Sequence, residues 1–306
     1  MADLQLETVA TGLRFPEGPV WCADGSVVLV EIESGWVSRV SAEGRVDRVV
    51  HLGGGPNGLA VGPDEKLYVC NNMGRFSYHE RDGLLIPGHA PPDHKGGMIQ
   101  RLDLTTGRFE TLYDSCDGKR LIAPNDIVFD RRGDFWFTDN GYADAEGTRH
   151  GGVYWAKADG SKIVKAAQLP TPNGIGLSPD ETTVYVADTM TGRLWAFEIT
   201  GEGQVAQGFM PGFMGRVVAT MPGLQYFDSL AVEADGRVCV ATILNGGITA
   251  ITPAGEHEHF PVPDLITTNI CFGGVDRRDA WITASGTGVL YKTRWPRPGL
   301  KLNFGD

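Results

Sequence analysis

A degenerate unit recurs six times along the chain, and this repeat constrains the fold more than any other feature of the sequence. Each copy opens with a turn such as Pro-Asn-Gly, continues as a short apolar strand, turns again at Pro-Asp or Asp-Gly, and enters a second strand rich in Val, Tyr, Trp and Phe. The copies begin at six first-turn residues: Glu17, Asn57, Asn125, Asn173, Asp228 and Asn269. Most of these spacings suit the roughly 40 to 50 residues of a four-stranded propeller blade.

The repeat therefore predicts an all-β protein in which residues 1–306 form one six-bladed β-propeller domain. Third strands at 192–198 and 246–251 continue the antiparallel meander that each blade requires. Residues 4–9 alternate like a strand while the last copy is short of strands, so we expect the two to share one blade and hide a sheet edge. The longest step carries an insertion, residues 72–97, which we expect to be a long functional loop.

Composition agrees with a folded, turn-rich protein and excludes several classes of partner. The chain contains 42 glycines, 18 prolines and 42% hydrophobic residues. Its net charge of -11, without any basic stripe, argues against nucleic acid and anionic membranes. No basic start, leader-like apolar run or membrane-length apolar stretch is present, which predicts a cytoplasmic protein. The five cysteines include no C-x-x-C pair, so neither a disulfide framework nor a structural zinc site is indicated.

The first-turn residues are the strongest candidates for chemistry, because the innermost strands of a propeller all begin beside its axis. The set contains two carboxylates and four amides, which are hard oxygen donors that suit Ca²⁺. Asn before Gly is also a favoured turn pair for purely conformational reasons. Glu17 and Asp228 break that Asn rule, however, and buried carboxylates need a cation or another partner. The sequence thus favours a central metal site.

Several motifs together resemble the SMP-30/gluconolactonase/luciferin-regenerating-enzyme (LRE)-like family over nearly the whole chain. They are residues 15–21, 123–127, 137–139, 172–175, 178–180 and 228–230. The resemblance implies a six-bladed propeller and lactonase activity, with a phosphotriesterase among the relatives. It also implies that Glu17, Asn125, Asn173 and Asp228 bind the metal, and that Asp228 is the general base or nucleophile. The implied cofactor is Ca²⁺, with Mg²⁺, Mn²⁺ or Zn²⁺ as substitutes.

One departure from the family pattern bears on the substrate. Sugar-acid lactonases that this chain resembles commonly have Arg two residues before the third-blade Asn, whereas this chain has Ala123. A less polar lactone than a sugar lactone therefore becomes plausible. The candidate substrate-binding residues are Asn57, Phe76, Tyr78, His79, Asn140, Tyr142 and Asn269. The aromatic residues among them have an alternative interpretation as loop anchors that pack on a blade.

The expected reaction is metal-dependent opening of a lactone. The metal would polarise the carbonyl group, and Asp228 would deprotonate the attacking water. Direct attack by Asp228, or water activated by the metal alone, stays open because a cation lowers the pKa of a bound carboxylate. The alternatives are an organophosphate triesterase that uses the same site and a non-catalytic calcium-binding propeller. The expected partner is a small lactone or ester, and the expected state is a monomer or weak homodimer.

Overall fold

The computed structural model describes residues 4–144, 147–210 and 215–305, and in these ranges all regular secondary structure is β. Six antiparallel sheets of four principal strands follow one another along the chain, as the repeat predicts. Within the same ranges no helix is long and apolar enough to cross a membrane.

The strand bounds follow the order of the repeat. The N-terminal strand β1 (Glu7–Ala10) precedes blade 1, which contains β2 (Pro16–Trp21), β3 (Val27–Glu31), β4 (Trp36–Val40) and β5 (Val46–His51). Blade 2 contains β6 (Pro56–Val61), β7 (Leu67–Asn71), β10 (Met98–Leu102) and β11 (Phe109–Tyr113), with a separate hairpin of β8 (Tyr78–Arg81) and β9 (Leu84–Pro87) inserted between β7 and β10. A short hairpin of β12 (Ser115–Cys116) and β13 (Lys119–Arg120) leads to the next blade.

The second half of the ring repeats this plan. Blade 3 contains β14 (Pro124–Phe129), β15 (Phe135–Asp139), β18 (Gly152–Ala156) and β19 (Ile163–Ala167), with the hairpin β16 (Tyr142–Ala143) and β17 (Thr148–Arg149) between its second and third strands. Blade 4 contains β20 (Pro172–Leu177), β21 (Thr183–Asp188), β22 (Arg193–Gly201) and β24 (Arg216–Thr220), and β23 (Gln204–Val205) also pairs with β22. Blade 5 contains β25 (Tyr226–Val232), β26 (Val238–Ile243), β27 (Gly247–Ile251) and β28 (His257–Pro261). Blade 6 contains β29 (Thr267–Gly273), β30 (Asp279–Ala284), β31 (Val289–Arg294) and the early strand β1.

The six innermost strands close into a ring. Each of β2, β6, β14, β20, β25 and β29 contacts the next one, and β29 contacts β2. The ring is tied at the seam by β1, which pairs antiparallel with β31 through Glu7 and Lys292. The prediction that both ends of the chain share a blade is therefore confirmed, and this pairing removes a free edge from the last sheet.

The second strand of each blade shows why the sequence forms this ring. Every residue of β3, β7 and β15 is buried, because neighbouring blades cover both faces of these strands. A strand that is covered on both sides has a continuous apolar run rather than alternation, as Val27–Glu31 illustrates. The core consequently lies in layers between blades; one such layer joins Val30 of blade 1 to Leu59 and Val69 of blade 2.

The insertion differs from the expected long loop, because its middle forms the hairpin of β8 and β9. It leaves the ring after Asn71, whose partner is Pro56 at the beginning of an inner strand. The hairpin extends past blade 1 to blade 6, where Leu85 N–H donates to Gly286 O at 2.8 Å. The returning arm meets blade 3, where Ala90 N–H donates to Ala143 O at 3.5 Å. Residues 72–97 therefore cover the end of the ring at which the inner strands begin.

Candidate functional site

The first-turn residues gather at one end of the ring axis. Each lies at the second or third position of an inner strand, and all six are buried, with 2 to 8% of their surface exposed. They are Glu17, Asn57, Asn125, Asn173, Asp228 and Asn269. Neighbouring inner strands approach closely at this end: Asn269 Nδ2 donates to Glu17 Oε2 at 2.7 Å, and a Cβ on Gly18 would lie 2.7 Å from Asn57 O.

A β-bulge occurs at most of these positions. In blade 1 the pairing of β2 with β3 shifts register between Glu17 and Val20, and the same shift follows Pro56, Pro124, Pro172 and Phe227 in the next four blades. A bulge adds an unpaired residue and re-aims its side chain. The Pro-Asn/Glu-Gly pattern suits this geometry, since Pro needs no ladder N–H and Gly18 adopts a positive φ of 54°.

Carboxylates at the ends of second strands fix the segments that lead into the site. Asp139 accepts backbone hydrogen bonds from Ile122 at 2.6 Å and Ala123 at 2.8 Å. Glu31 and Asp188 do the same for Arg14 at 2.8 Å and Thr171 at 3.0 Å. Each of these segments is followed within two or three residues by a predicted metal ligand. The motif residue Asp139 thus positions the site without being part of the first-turn set.

The predicted ligands contain two buried oxygens without a partner. Glu17 Oε2 accepts from Gly18 N–H at 2.5 Å as well as from Asn269, but Glu17 Oε1 accepts no hydrogen bond in the described structure. Asn125 Oδ1 is equally buried and unpartnered there. The described residues contain no cluster of three or more His, Cys, Asp or Glu side chains arranged for a metal, and the predicted set mixes carboxylates with amides. Orphaned hard oxygens beside carboxylates fit a divalent cation such as Ca²⁺.

The carboxylates at this end of the axis influence one another. Burial raises the pKa of Asp228 to about 7, while the Asn173 amide opposes this rise. Burial also raises the pKa of Glu17 well above its usual range, and the charge of Asp228 adds to this effect. Because like charges at short range disfavour joint ionisation, Glu17 and Asp228 need a compensating positive charge when both are ionised.

Asp126 is a third buried carboxylate at this end, and the sequence analysis missed it. Its Oδ1 accepts from Ile127 N–H at 2.9 Å and its Oδ2 from Ile175 N–H at 3.4 Å, so it joins blades 3 and 4. Burial raises its pKa to about 7. Asp126 occupies the position that is Gly18 in the first copy and Gly58 in the second. The replacement of the repeated Gly by Asp126 could have identified this residue as a site candidate from the sequence. Glu17 and Asp228 are exceptions of the same kind, because they replace the repeated Asn.

Beyond this polar layer the axial channel becomes apolar. A cavity of about 230 Å³ continues along the inner strands, with Leu59, Ile127 and Leu230 in its wall. The C-terminal residues Leu300 and Phe304 line the same cavity at the other end of the ring. The buried carboxylates Glu17, Asp126 and Asp228 lie at the end of the ring where the inner strands begin.

The three amide residues among the predicted substrate-binding residues lie in different environments. Both polar ends of the Asn269 amide are engaged, with Glu17 and with Ile270 N–H at 2.7 Å. Asn140 bridges blades through its Nδ2, which donates to Pro172 O at 3.3 Å. Asn57 lies in the buried ring. Asn269 and Asn140 thus each join two neighbouring blades.

Tyr78 of the insertion packs beside the segment that leads into the site. The Tyr78 ring packs 5.1 Å from Phe15, two residues before Glu17. Burial raises the pKa of Tyr78 well above its usual value, with Glu33, Asp228 and Glu17 adding to the effect and Arg75 opposing it. His79 is the next residue on β8 and is exposed, since successive strand side chains point to opposite faces. Tyr78 is thus brought to the axis, and His79 is not.

Phe76 and Tyr142 flank one guanidinium group. The Cζ atom of Arg75 lies 4.8 Å from the Phe76 ring centre and 5.6 Å from that of Tyr142. Tyr142 also stacks on His94 from the returning arm of the insertion, with ring centres 6.2 Å apart. The insertion and the loop after β15 consequently form one continuous cover on the blade 2 and blade 3 side.

Comparison with known families agrees with this fold. The model of the SMP-30/gluconolactonase/LRE-like region matches residues 15–286, which include all six first-turn residues. The chain belongs to this family. The resemblance drawn from the sequence motifs is therefore confirmed.

Three of the similar proteins are named as lactonases. A gluconolactonase of Zymomonas mobilis is 25% identical over 319 residues, covering 94% of this chain and 81% of that protein. Lactonase drp35 of Staphylococcus aureus is 26% identical over 273 residues, covering 87% and 73% of the two chains. The solved structure of a Xanthomonas campestris gluconolactonase superposes with a TM-score of 0.76 at 26% identity, covering 96% and 91%. Lactone-opening relatives are thus similar to this chain over most of its length.

Proposed function

We propose that this protein is a lactone hydrolase that uses one divalent cation, Ca²⁺, held by Glu17, Asn125, Asn173 and Asp228. The observation that carries the proposal is the pair of orphaned oxygens, Glu17 Oε1 and Asn125 Oδ1, buried at the axis beside the Asp228 carboxylate. The names of the lactonase relatives support the reaction class.

The proposed cation ligands have different roles in lactone opening. A bound divalent cation supplies Lewis-acid polarisation of the lactone carbonyl. Asp228 takes a proton from the attacking water. The bound cation would lower the pKa of this carboxylate and so keep it ionised, in the form that accepts the proton, near neutral pH. The protonated Asp228 then returns the proton to the departing ring oxygen. Asn173, whose amide acts on Asp228, keeps the carboxylate oriented.

The entrance to the site supports a lactone with apolar substituents. Exposed apolar side chains stand on loops at the same end of the ring, including Met190 at 59%, Leu224 at 73%, Leu244 at 42% and Leu265 at 52%. Ala123, at the position where similar sugar lactonases have Arg, adds no polar group. An apolar rim favours a substrate that buries hydrocarbon on binding.

A lactone panel assayed for acid release, with and without EDTA, tests this function. The panel should contain glucono-δ-lactone, unsubstituted five- and six-membered lactones, their alkyl-substituted homologues and one phosphotriester. We expect EDTA-sensitive hydrolysis of lactones, with higher kcat/KM for the alkyl-substituted members. Hydrolysis of the phosphotriester alone would assign the site to organophosphate chemistry, and no turnover of any member would contradict an enzymatic role.

A further inference from the structure

Arg75 is a buried cation that neither the repeat nor the predicted metal site accounts for. Only 5% of its surface is exposed. Its Nε donates to Gly141 O at 3.2 Å, while its Nη1 is buried without any hydrogen-bond partner in the described structure. None of the ion pairs among the described residues includes Arg75. A buried, unpaired guanidinium is costly and therefore calls for an anionic partner.

The guanidinium is held in place before any ligand arrives. Asn72 Oδ1 accepts the backbone N–H groups of Gly74 and Arg75, each at 3.0 Å, which fixes the turn that carries Arg75. The rings of Phe76 and Tyr142 then confine the guanidinium from two directions. Such preorganisation lowers the entropy cost of binding an anion, and planar N–H donors suit a carboxylate.

Tyr78 supplies a second unsatisfied group on the same insertion. Its hydroxyl is buried and has no hydrogen-bond partner in the part of the chain that the structure describes. The Tyr78 ring packs 5.1 Å from that of Phe15, two residues before the proposed ligand Glu17, and Arg75 lies three residues before Tyr78 on the same insertion. Tyr78 consequently extends from the segment that carries the unpaired guanidinium toward the proposed metal site.

We infer that Arg75 Nη1 and the Tyr78 hydroxyl bind a carboxylate carried by the substrate, and so select acidic lactones. This inference rests on the proposed function, because it names a substrate class for the same site. The carboxylate would be a substituent of the lactone ring rather than the reacting carbonyl, which belongs at the axis. The ring would then be anchored at one side by these two donors, with the rest of the substrate facing the apolar rim.

A matched pair of substrates tests the inference. One is γ-butyrolactone with a carboxylate on its γ carbon, and the other is the corresponding primary amide, which has a similar shape without the charge. We expect the wild-type protein to favour the carboxylate by about ten- to a hundred-fold in kcat/KM, the range of a charge-assisted hydrogen bond. Arg75→Gln should remove most of this preference, and Tyr78→Phe should reduce it.

Arg149→Gln is the matched control, because Arg149 also places its guanidinium over Tyr142, at 5.2 Å, but is exposed. It should keep the wild-type preference. Equal losses on both substrates in Arg75→Gln, or an unchanged preference in both Arg75→Gln and Tyr78→Phe, would overturn the inference. If Arg75→Gln fails to fold, Tyr78→Phe alone decides.

Calorimetry with tetrahydrofuran bearing the same carboxylate separates this inference from the proposed function. This compound has no lactone carbonyl, so its binding is independent of turnover. Suppose that the wild-type protein binds this compound but opens no lactone, and that Arg75→Gln does not bind it. This result would support the anion site and contradict the lactonase function. Turnover of neutral lactones by a wild-type protein that does not bind this compound would support the lactonase function and contradict the anion site.

Discussion

Asn269 Nδ2 donates a hydrogen bond of 2.7 Å to Oε2 of Glu17, a residue 252 positions earlier in the chain. This bond joins the last blade to the first at the axis. It leaves the other oxygen of Glu17, Oε1, without a partner among the described residues. The closure of the propeller therefore leaves one carboxylate oxygen unpaired at the site where we propose that a cation binds.

Asn269→Ala should weaken metal binding through Glu17. The substitution removes a hydrogen bond to a charged group, which is worth about 1.5 to 3 kcal/mol, so Kd for Ca²⁺ should rise by roughly ten-fold or more. Isothermal titration calorimetry measures this change. Asn245→Ala, an exposed amide on a loop at the same end of the ring, is the control and should bind Ca²⁺ as the wild type does. Equal affinities for the two variants would show that Glu17 needs no positioning by Asn269.

Asp228→Asn should lower turnover by about 10² to 10⁴ at saturating metal, because it keeps an oxygen donor but removes the proton acceptor. Asn173→Asp is the contrasting change and should alter metal affinity more than kcat. Single-turnover reactions in ¹⁸O-labelled water distinguish the role of Asp228: a base leaves it unlabelled, whereas a nucleophile incorporates label. Near-wild-type turnover in Asp228→Asn would remove Asp228 from the mechanism.

Removal of the metal should lower both activity and Tm. A cation that binds only the folded state adds about 2.7 kcal/mol of stability when its free concentration is about 100 times Kd. Differential scanning calorimetry with EDTA and with added Ca²⁺ measures this contribution. Glu17→Gln, which keeps the side-chain volume, should lose most of the Ca²⁺-dependent increase in Tm. A metal-free protein, confirmed by elemental analysis, with unchanged Tm would contradict a stabilising site.

Asp126 should make the stability of the metal-free protein fall as pH rises. Its pKa is raised from 3.8 to about 7 by burial, so between these values the folded state binds more protons than the unfolded state. The free energy of unfolding therefore decreases through this window, by about 4 kcal/mol in total at 1.36 kcal/mol per pKa unit. Below about pH 4 the Asp126 carboxyl is protonated in both the folded and the unfolded state, so the cost of burying its charge is absent.

Asp126→Asn isolates this effect, since it cannot ionise. In EDTA, the difference in the free energy of unfolding between this variant and the wild type should increasingly favour the variant from about pH 4 to about pH 7. Urea denaturation at a series of pH values measures it. A difference that stays constant with pH would mean that Asp126 does not titrate in this window.

Gly58→Ala should destabilise the ring at the site. A Cβ at position 58 would lie 2.5 Å from Asn125 O and 2.7 Å from the Asp126 Cα, both of which are backbone atoms. Overpacking of this kind typically costs about 1 to 3 kcal/mol, and the shift of Asn125 should also weaken Ca²⁺ binding. Gly147→Ala meets nothing within 4 Å and is the matched control. Thermal unfolding with equal Tm for the two variants would contradict this close approach of blades 2 and 3.

The sequence was sufficient for the fold because the repeat is local. Each turn, apolar strand and second turn depends on residues within about a dozen positions, so the starts of the six inner strands could be read directly. The family resemblance supplied the proposed metal ligands, since their motifs are contiguous. Asp126 could also have been found, because it replaces a repeated Gly.

Only the tertiary structure showed the positions of residues in the insertion, because the insertion is not part of the repeat. Arg75 lies in an insertion with no counterpart in other blades, so no pattern predicted that Asn72 and Tyr142 would hold it beside the site. The exposed position of His79 depends on the pairing of β8 with β9, which forms within a segment that lacked a strand signal. The sequence by itself determined which residues begin each blade, because turn chemistry is local. Only the closed ring decided which polar atoms remain unpaired, because partners such as Asn269 and Glu17 come from opposite ends of the chain.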